Sequence, residues 1–276
     1  MLSIPTIWFW LKFPAALPTR KACVYTQVRS PSGHRRLVGQ RVLSQVISTS
    51  LCPNMQSYGI FLFNLTPSMA KPWADAGVLC YLVDIQHPPG ANRVGNLVYV
   101  GSDARHWVSP HEHKPIILIC NPPCTDLAVS GARWFRIKGL RRLSQAIELF
   151  AVSVELADWA DCPFLIENPV STISSYWRKP DHSFHPWEYA GYLPNPEEEN
   201  TTKLTCLWTG GGFVMPERIP ASDPHRNDCW KLPPSEDRAN LRSASPMGFS
   251  LAVFKANHKP SISQEKHCRE FQLAFV

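Results

Sequence analysis

No uncharged apolar run in this chain reaches the ~18 residues that a membrane-spanning helix needs. An integral helical membrane protein is therefore not expected. Acidic residues are absent from residues 1–54, which hold seven basic ones: Lys12, Arg20, Lys21, Arg29, Arg35, Arg36 and Arg41. The other 222 residues carry 21 basic and 22 acidic side chains. The net charge of +6 thus belongs to the leader, and a broadly basic globular domain is excluded. Any nucleic-acid contact by the main domain has to come from a local patch. Glycine is scarce, 14 against 26 prolines, which favours rigid turns and short elements. No two of the nine cysteines are spaced Cys-x-x-Cys, so a zinc ribbon is not signalled and no metal is expected. Cys80, Cys120 and Cys206 lie in apolar runs, where cysteine behaves as a small hydrophobe. This usage fits a reducing compartment. What is present, 44% apolar residues and only 18% charged, excludes a disordered chain.

Residues 1–54 show no strand or helix period. The apolar stretch at 4–17 is broken by Pro5, Lys12 and Pro14, unlike a secretory signal. The leader reads as a disordered extension or as sequence upstream of the true start, with Met55 just ahead of the first strand-like run. An acid-free stretch with Arg and Ser also has the composition of an organelle transit peptide. Residues 55–176 read as the catalytic core. Residues 177–257 read as a small Pro- and Trp-rich target-side region with a closing helix, and 258–276 as a tail.

Short apolar runs at 58–63, 78–83, 96–100, 115–120 and 163–166 read as strands. A helix is expected up to Ala76, closed by Gly77. A longer one is expected over 140–159, where Leu140, Leu143, Ile147, Phe150, Val154 and Ala157 form one stripe. A sixth strand is expected over 203–208. Alternating strands and helices predict an α/β fold, an open and mostly parallel sheet with crossover helices. Polar residues follow the expected strand ends: Asn64, Thr66 and Ser68, then Asp84, Asp103, Asn121 to Cys124, and Glu167 with Asn168. In such sheets ligands bind at that edge.

Cys124 follows two prolines, which fix the backbone that presents its thiol. A cysteine and a carboxylate at neighbouring strand ends, with no spaced histidine, do not make a protease arrangement. Asn121-Pro-Pro-Cys-Thr-Asp-Leu-Ala-Val-Ser-Gly131 resembles the Pro-Pro-Cys catalytic motif of DNA (cytosine-5) methyltransferases. Leu165-Ile-Glu-Asn-Pro169 resembles that family's Glu-Asn-Val motif, 43 residues beyond Cys124 and across one amphipathic helix. The stretch 58–257 is similar to compact phage and prophage members of the family. The resemblance implies a Rossmann-like S-adenosylmethionine-dependent methyltransferase with a DNA partner. It also implies no membrane, no obligate protein partner and a place in the cytoplasm of a bacterial or phage-infected cell.

The same resemblance makes Cys124 the nucleophile on carbon 6 of cytosine and Glu167 the partner of ring N3. It puts S-adenosylmethionine against Asn64, Thr66, Ser68, Asp84, Asp103 and Pro122, with Asp84 on the ribose and Asp103 on the adenine. Asn121, Asn168 and Lys203 fall to the substrate side. The chain departs from the family in its first motif, where Phe63-Asn-Leu-Thr-Pro-Ser68 has no glycine. Nor does it have the Gln-x-Arg-x-Arg strand, whose cation Lys203 replaces. Two other readings stay open. Asn121-Pro-Pro also matches the motif of DNA amino-methyltransferases, and a degenerate methyltransferase fold could bind nucleic acid without catalysis.

Overall fold

The computed structural model describes residues 56–222, 235 and 238–259, together with two strands nearer the N-terminus, β1 (Tyr25–Arg29) and β2 (Arg35–Gly39). The chain divides into two compact units, Met1–Pro53 and Asn54–Val276. In the first unit β1 and β2 pair antiparallel, with Tyr25 opposite Gly39 and Arg29 opposite Arg35. This corrects the reading of the leader as free of strands. Five-residue strands of mixed polarity leave too short an alternation to stand out. The rest of the leader lies outside the described residues, as does the expected tail beyond Lys259.

The second unit is built on one sheet. Its strands are β3 (Tyr58–Leu62), β4 (Leu79–Val94), β5 (Leu97–Gly101), β6 (Ile117–Cys120), β7 (Phe164–Pro169), β8 (His182–Phe184) and β9 (Thr205–Gly210). Their spatial order is β5-β4-β3-β6-β7-β9-β8. β3 pairs parallel with both β4 and β6, and all five of its residues are buried. That is why it reads as a continuous apolar run rather than as an alternation. β6 pairs parallel with β7, while β9 runs antiparallel to both β7 and β8. Counted from β3, the first five strands follow the 3-2-1-4-5 order of doubly wound α/β sheets. The expected fold class is therefore observed, with an antiparallel pair added at one edge.

β4 departs from the expected short strand. Its first half runs parallel to β5, up to Asp84 opposite Gly101; then the chain returns, with Ala91 opposite Val100 and Val94 opposite Leu97. Gly101 makes the return possible, because a Cβ there would collide with the carbonyl oxygens of Pro88 and His87. Pro88, Pro89 and Gly90 disfavour a strand locally, so periodicity alone does not reveal the return half.

Helices cover both faces. α1 (Lys71–Asp75) and α5 (Met247–Asn257) lie on one face, where Trp73 meets Phe254 edge-on and Phe249 stacks on Phe184 with ring centroids 3.9 Å apart. α2 (Phe135–Ala160) lies on the other, burying Phe150, Ala157 and Ala160 against Leu118, Ile166 and Trp208. α2 is kinked at Gly139, whose φ of 77° is open to glycine. Leu140, expected in the apolar stripe, sits at that kink and is exposed. The short helices α3 (Ile173–Tyr176) and α4 (Arg238–Ser243) complete the fold. The segment after residue 176 does not fold apart, since β8, β9 and α5 belong to the same sheet and core. Deleting residues 1–54 is expected to leave a single cooperative thermal transition. A broadened or lost transition would place part of the core in the leader.

Candidate active site

The parallel register sets the site. Cys120, the last residue of β6, is opposite Ile166 of β7, so Asn121 and Glu167 come next on adjoining strands. Glu167 and Asn168 do not follow the strand, as expected, but lie inside it, paired with Leu207 and Cys206 of β9. Buried Asn168 donates from Nδ2 to the carbonyl of Pro122 at 2.9 Å, which ties the Pro-Pro turn to β7. The Cys124 carbonyl then accepts from the backbone N–H groups of Leu127 and Ala128, closing a turn. Two further backbone bonds, Val129 to Val170 and Thr172 to Leu127, clamp this loop against the segment after β7. The cysteine is therefore held from both sides of its own turn.

The electrostatics link Cys124 to the next strands. Burial pushes the Cys124 thiol up from its ordinary pKa, and the Glu167 carboxylate adds to that rise; Lys203 and Arg242 pull it down. Desolvation also raises the Glu167 carboxyl, opposed by Lys203. Lys203 precedes β9, so β6, β7 and β9 each contribute one group. Among the described free cysteines Cys124 alone is partly exposed; Cys80, Cys120, Cys162 and Cys206 are buried.

Asn121, Glu167 and Lys203 line one pocket with Thr205, Ser243 and Ser245. Its free volume is about 10 Å³, room for about one water. Residues 243–246 close it: Asn121 donates from Nδ2 to Ser245 Oγ at 3.0 Å, and α4 is anchored further by Asn240 to Gln86 at 3.2 Å. Asn121 Oδ1 is buried with no partner among the described residues. Ser243 and Ser245 were not expected at the site. Ser245 is 124 positions from Asn121, and no local signal could have joined them.

The residues expected at a cofactor lie past the end of β3 (Asn64, Thr66, Ser68), at the return point within β4 (Asp84), past β5 (Asp103) and past β6 (Pro122). The strand order reverses between β3 and β6, which is where such sheets form their ligand crevice. Phe63, just past β3, has a φ of 56°, so the chain turns sharply there even without glycine. Asn64 is turned inward: its Nδ2 donates to the Leu62 carbonyl, and its own carbonyl meets His87 Nε2 at 3.1 Å. Thr66 and Ser68 bond each other at 3.4 Å. Asp84 accepts from the Gln86 N–H through Oδ1, leaving Oδ2 as an acceptor. Asp103 is bridged by Arg105, which holds its carboxyl down at about 2, and Arg105 also reaches Glu148. Asp84 thus fits a ribose better than Asp103, with both oxygens engaged, fits an adenine amine.

Among the described residues no group of three or more His, Cys, Asp or Glu could hold a metal ion, and no helix is long and apolar enough to cross a membrane. The chain matches no family model and no curated protein.

Proposed function

We propose that this chain is a DNA cytosine-5 methyltransferase, with S-adenosylmethionine as methyl donor. The carrying observation is geometric: the Pro-Pro-Cys124 turn, tied to β7 by Asn168, follows β6 at the sheet edge where Asn121, Glu167 and Lys203 line one pocket. Carbon 5 of cytosine is a poor nucleophile. In the proposed reaction the Cys124 thiolate forms a bond to carbon 6 while Glu167 gives its proton to N3. The electron pair of the 5,6 double bond is then available at carbon 5. S-adenosylmethionine, when bound, supplies the methyl group that carbon 5 takes. Loss of the carbon-5 proton to a base restores the double bond and expels the thiolate, and N3 returns its proton to Glu167.

The electrostatics support this division of labour. A carboxyl raised by burial keeps its proton to higher pH, as an acid at N3 needs. Lys203 favours the thiolate, offsetting part of the cost that burial and Glu167 impose. The pocket lined by Asn121, Glu167 and Lys203 is too small for a base and Cys124 is not on its wall, so the proposed reaction requires residues 243–246 to shift. A base inside a duplex has to leave the stack to reach such a site.

The unpartnered Oδ1 of Asn121 favours a second reading, methylation of an exocyclic amine, whose N–H that oxygen could accept. Nucleoside analysis of DNA from cells expressing the chain decides. 5-Methylcytosine is expected; an N-methylated base instead would transfer the chemistry to Asn121. Asp84→Ala is expected to weaken S-adenosylmethionine binding by about 1–3 kcal/mol, as for a lost hydrogen bond to a charged group. A titration with unchanged affinity would remove Asp84 from the site. A wild-type protein that binds no S-adenosylmethionine would favour a degenerate fold.

A further inference from the structure

On the segments that follow the Cys124 turn and β7, large rings stand in solvent. Trp134 is 48% exposed, Tyr176 66% and Trp177 44%. They lie on the two segments that the Val129 to Val170 and Thr172 to Leu127 bonds hold together, one leading into α2 and the other forming α3. The α2 side is also basic. From residue 127 to 147 there is no acid, while Arg133, Arg136, Lys138, Arg141 and Arg142 are all present. Lys138 and Arg142 are drawn to Asp126. Arg133, Arg136 and Arg141 are exposed and pair with no acid among the described residues. Two guanidiniums already lie over rings: Arg133 over Trp134 at 5.0 Å, and Arg178, which also pairs with Asp181, over Trp177 at 4.7 Å, the Trp177 ring meeting Phe150 edge-on.

Cations interleaved with exposed rings fit a phosphate backbone whose bases are free to stack. In a duplex the base faces are already stacked on each other, so exposed rings beside the backbone gain little. The described chain between β7 and β9 holds only short elements: α3, β8 and three single-turn helices at Pro186–Glu188, Ala190–Tyr192 and Pro196–Glu198. None is long enough to fill a major groove as a recognition element. Resting on the DNA substrate proposed above, we infer that the chain binds single-stranded DNA, unpaired bases stacking on Trp134, Tyr176 and Trp177 beside Cys124. The target cytosine then reaches the thiol without the cost of leaving a duplex.

The test is fluorescence anisotropy with a labelled mixed-sequence 20-mer, as single-stranded DNA, as duplex and as single-stranded RNA, without cofactor. Single-stranded DNA is expected to bind about tenfold tighter than the duplex. Trp134→Ala and Tyr176→Ala are each expected to weaken single-strand binding about 5- to 100-fold, with Trp134→Phe restoring most of it. That loss is expected to persist at high salt, where a purely ionic contact fades. Duplex bound as tightly as single strand, RNA bound more tightly than DNA, or ring variants without effect would each overturn the inference. Because binding needs no methyl transfer, single-strand binding without 5-methylcytosine would sink the proposed reaction and leave this inference standing. Methylation confined to duplex DNA would do the reverse.

Discussion

Replacing Cys124 with serine is expected to abolish both methyl transfer and the covalent capture of DNA that carries 5-fluorocytosine. The reasoning starts from the bond to carbon 6. Once the thiolate has added and carbon 5 has taken its methyl group, release requires a proton to leave carbon 5. A fluorine there cannot leave as a proton, so the enzyme stays joined to the base. The adduct survives denaturing electrophoresis and is expected only when S-adenosylmethionine is present. A serine hydroxyl has a far higher pKa than a thiol and offers almost no anion in a site that already disfavours charge. The expected loss is therefore the whole measurable rate. The fold should survive, because Cys124 is only partly buried and its turn is held by backbone bonds and by Asn168. Methyl transfer at a normal rate by the serine protein would end the carbon-5 mechanism and leave the exocyclic amine as the target.

The residues that form the candidate site were legible in the sequence where chemistry sits beside a strong local pattern. The five-residue apolar run of β3 and the apolar run of β6 marked two neighbours of the sheet, and Asn121 to Cys124 followed directly from the second. The helical period over 143–157 separated β6 from β7 and so brought Glu167 to the same edge. Lys203 was placed by the resemblance, as the cation standing in for the family's Gln-x-Arg-x-Arg strand, and it lies just ahead of β9. What remained hidden depends on contacts remote in sequence or on elements too short to show a period. β8 has three residues and takes its place by pairing with β9. The return half of β4 contains Pro88, Pro89 and Gly90, which argue locally against a strand; the pairing with β5 overrides them. The pairing of Asp103 with Arg105 is local, two residues apart, yet its consequence, a carboxylate already engaged, needed the side-chain geometry.

Glu167→Gln is expected to lower kcat about 10²- to 10⁴-fold, the usual contribution of a positioned general acid. Glutamine keeps the shape and one hydrogen bond but has no proton to give to N3, so the loss should fall on kcat more than on KM. The pH profile carries the sharper signature. In the wild type the active form needs Glu167 protonated and Cys124 ionised. Rate therefore rises as the thiol loses its proton and falls as the carboxyl loses its own, giving a bell whose limbs belong to the pair. Without the carboxyl, the residual rate should rise with pH in a single step. The thiol itself should also respond. Glu167 raises the Cys124 pKa by its negative charge, so removing that charge lowers it. Alkylation of the Cys124 peptide, followed by mass spectrometry against pH, should then reach its midpoint at lower pH in Glu167→Gln than in the wild type. Lys203→Met should shift the midpoint the other way, since Lys203 lowers the thiol pKa. This readout is independent of DNA and cofactor. An unmoved midpoint in Glu167→Gln would mean that the carboxylate does not face the thiol, and a kcat within tenfold of wild type would leave N3 to another donor.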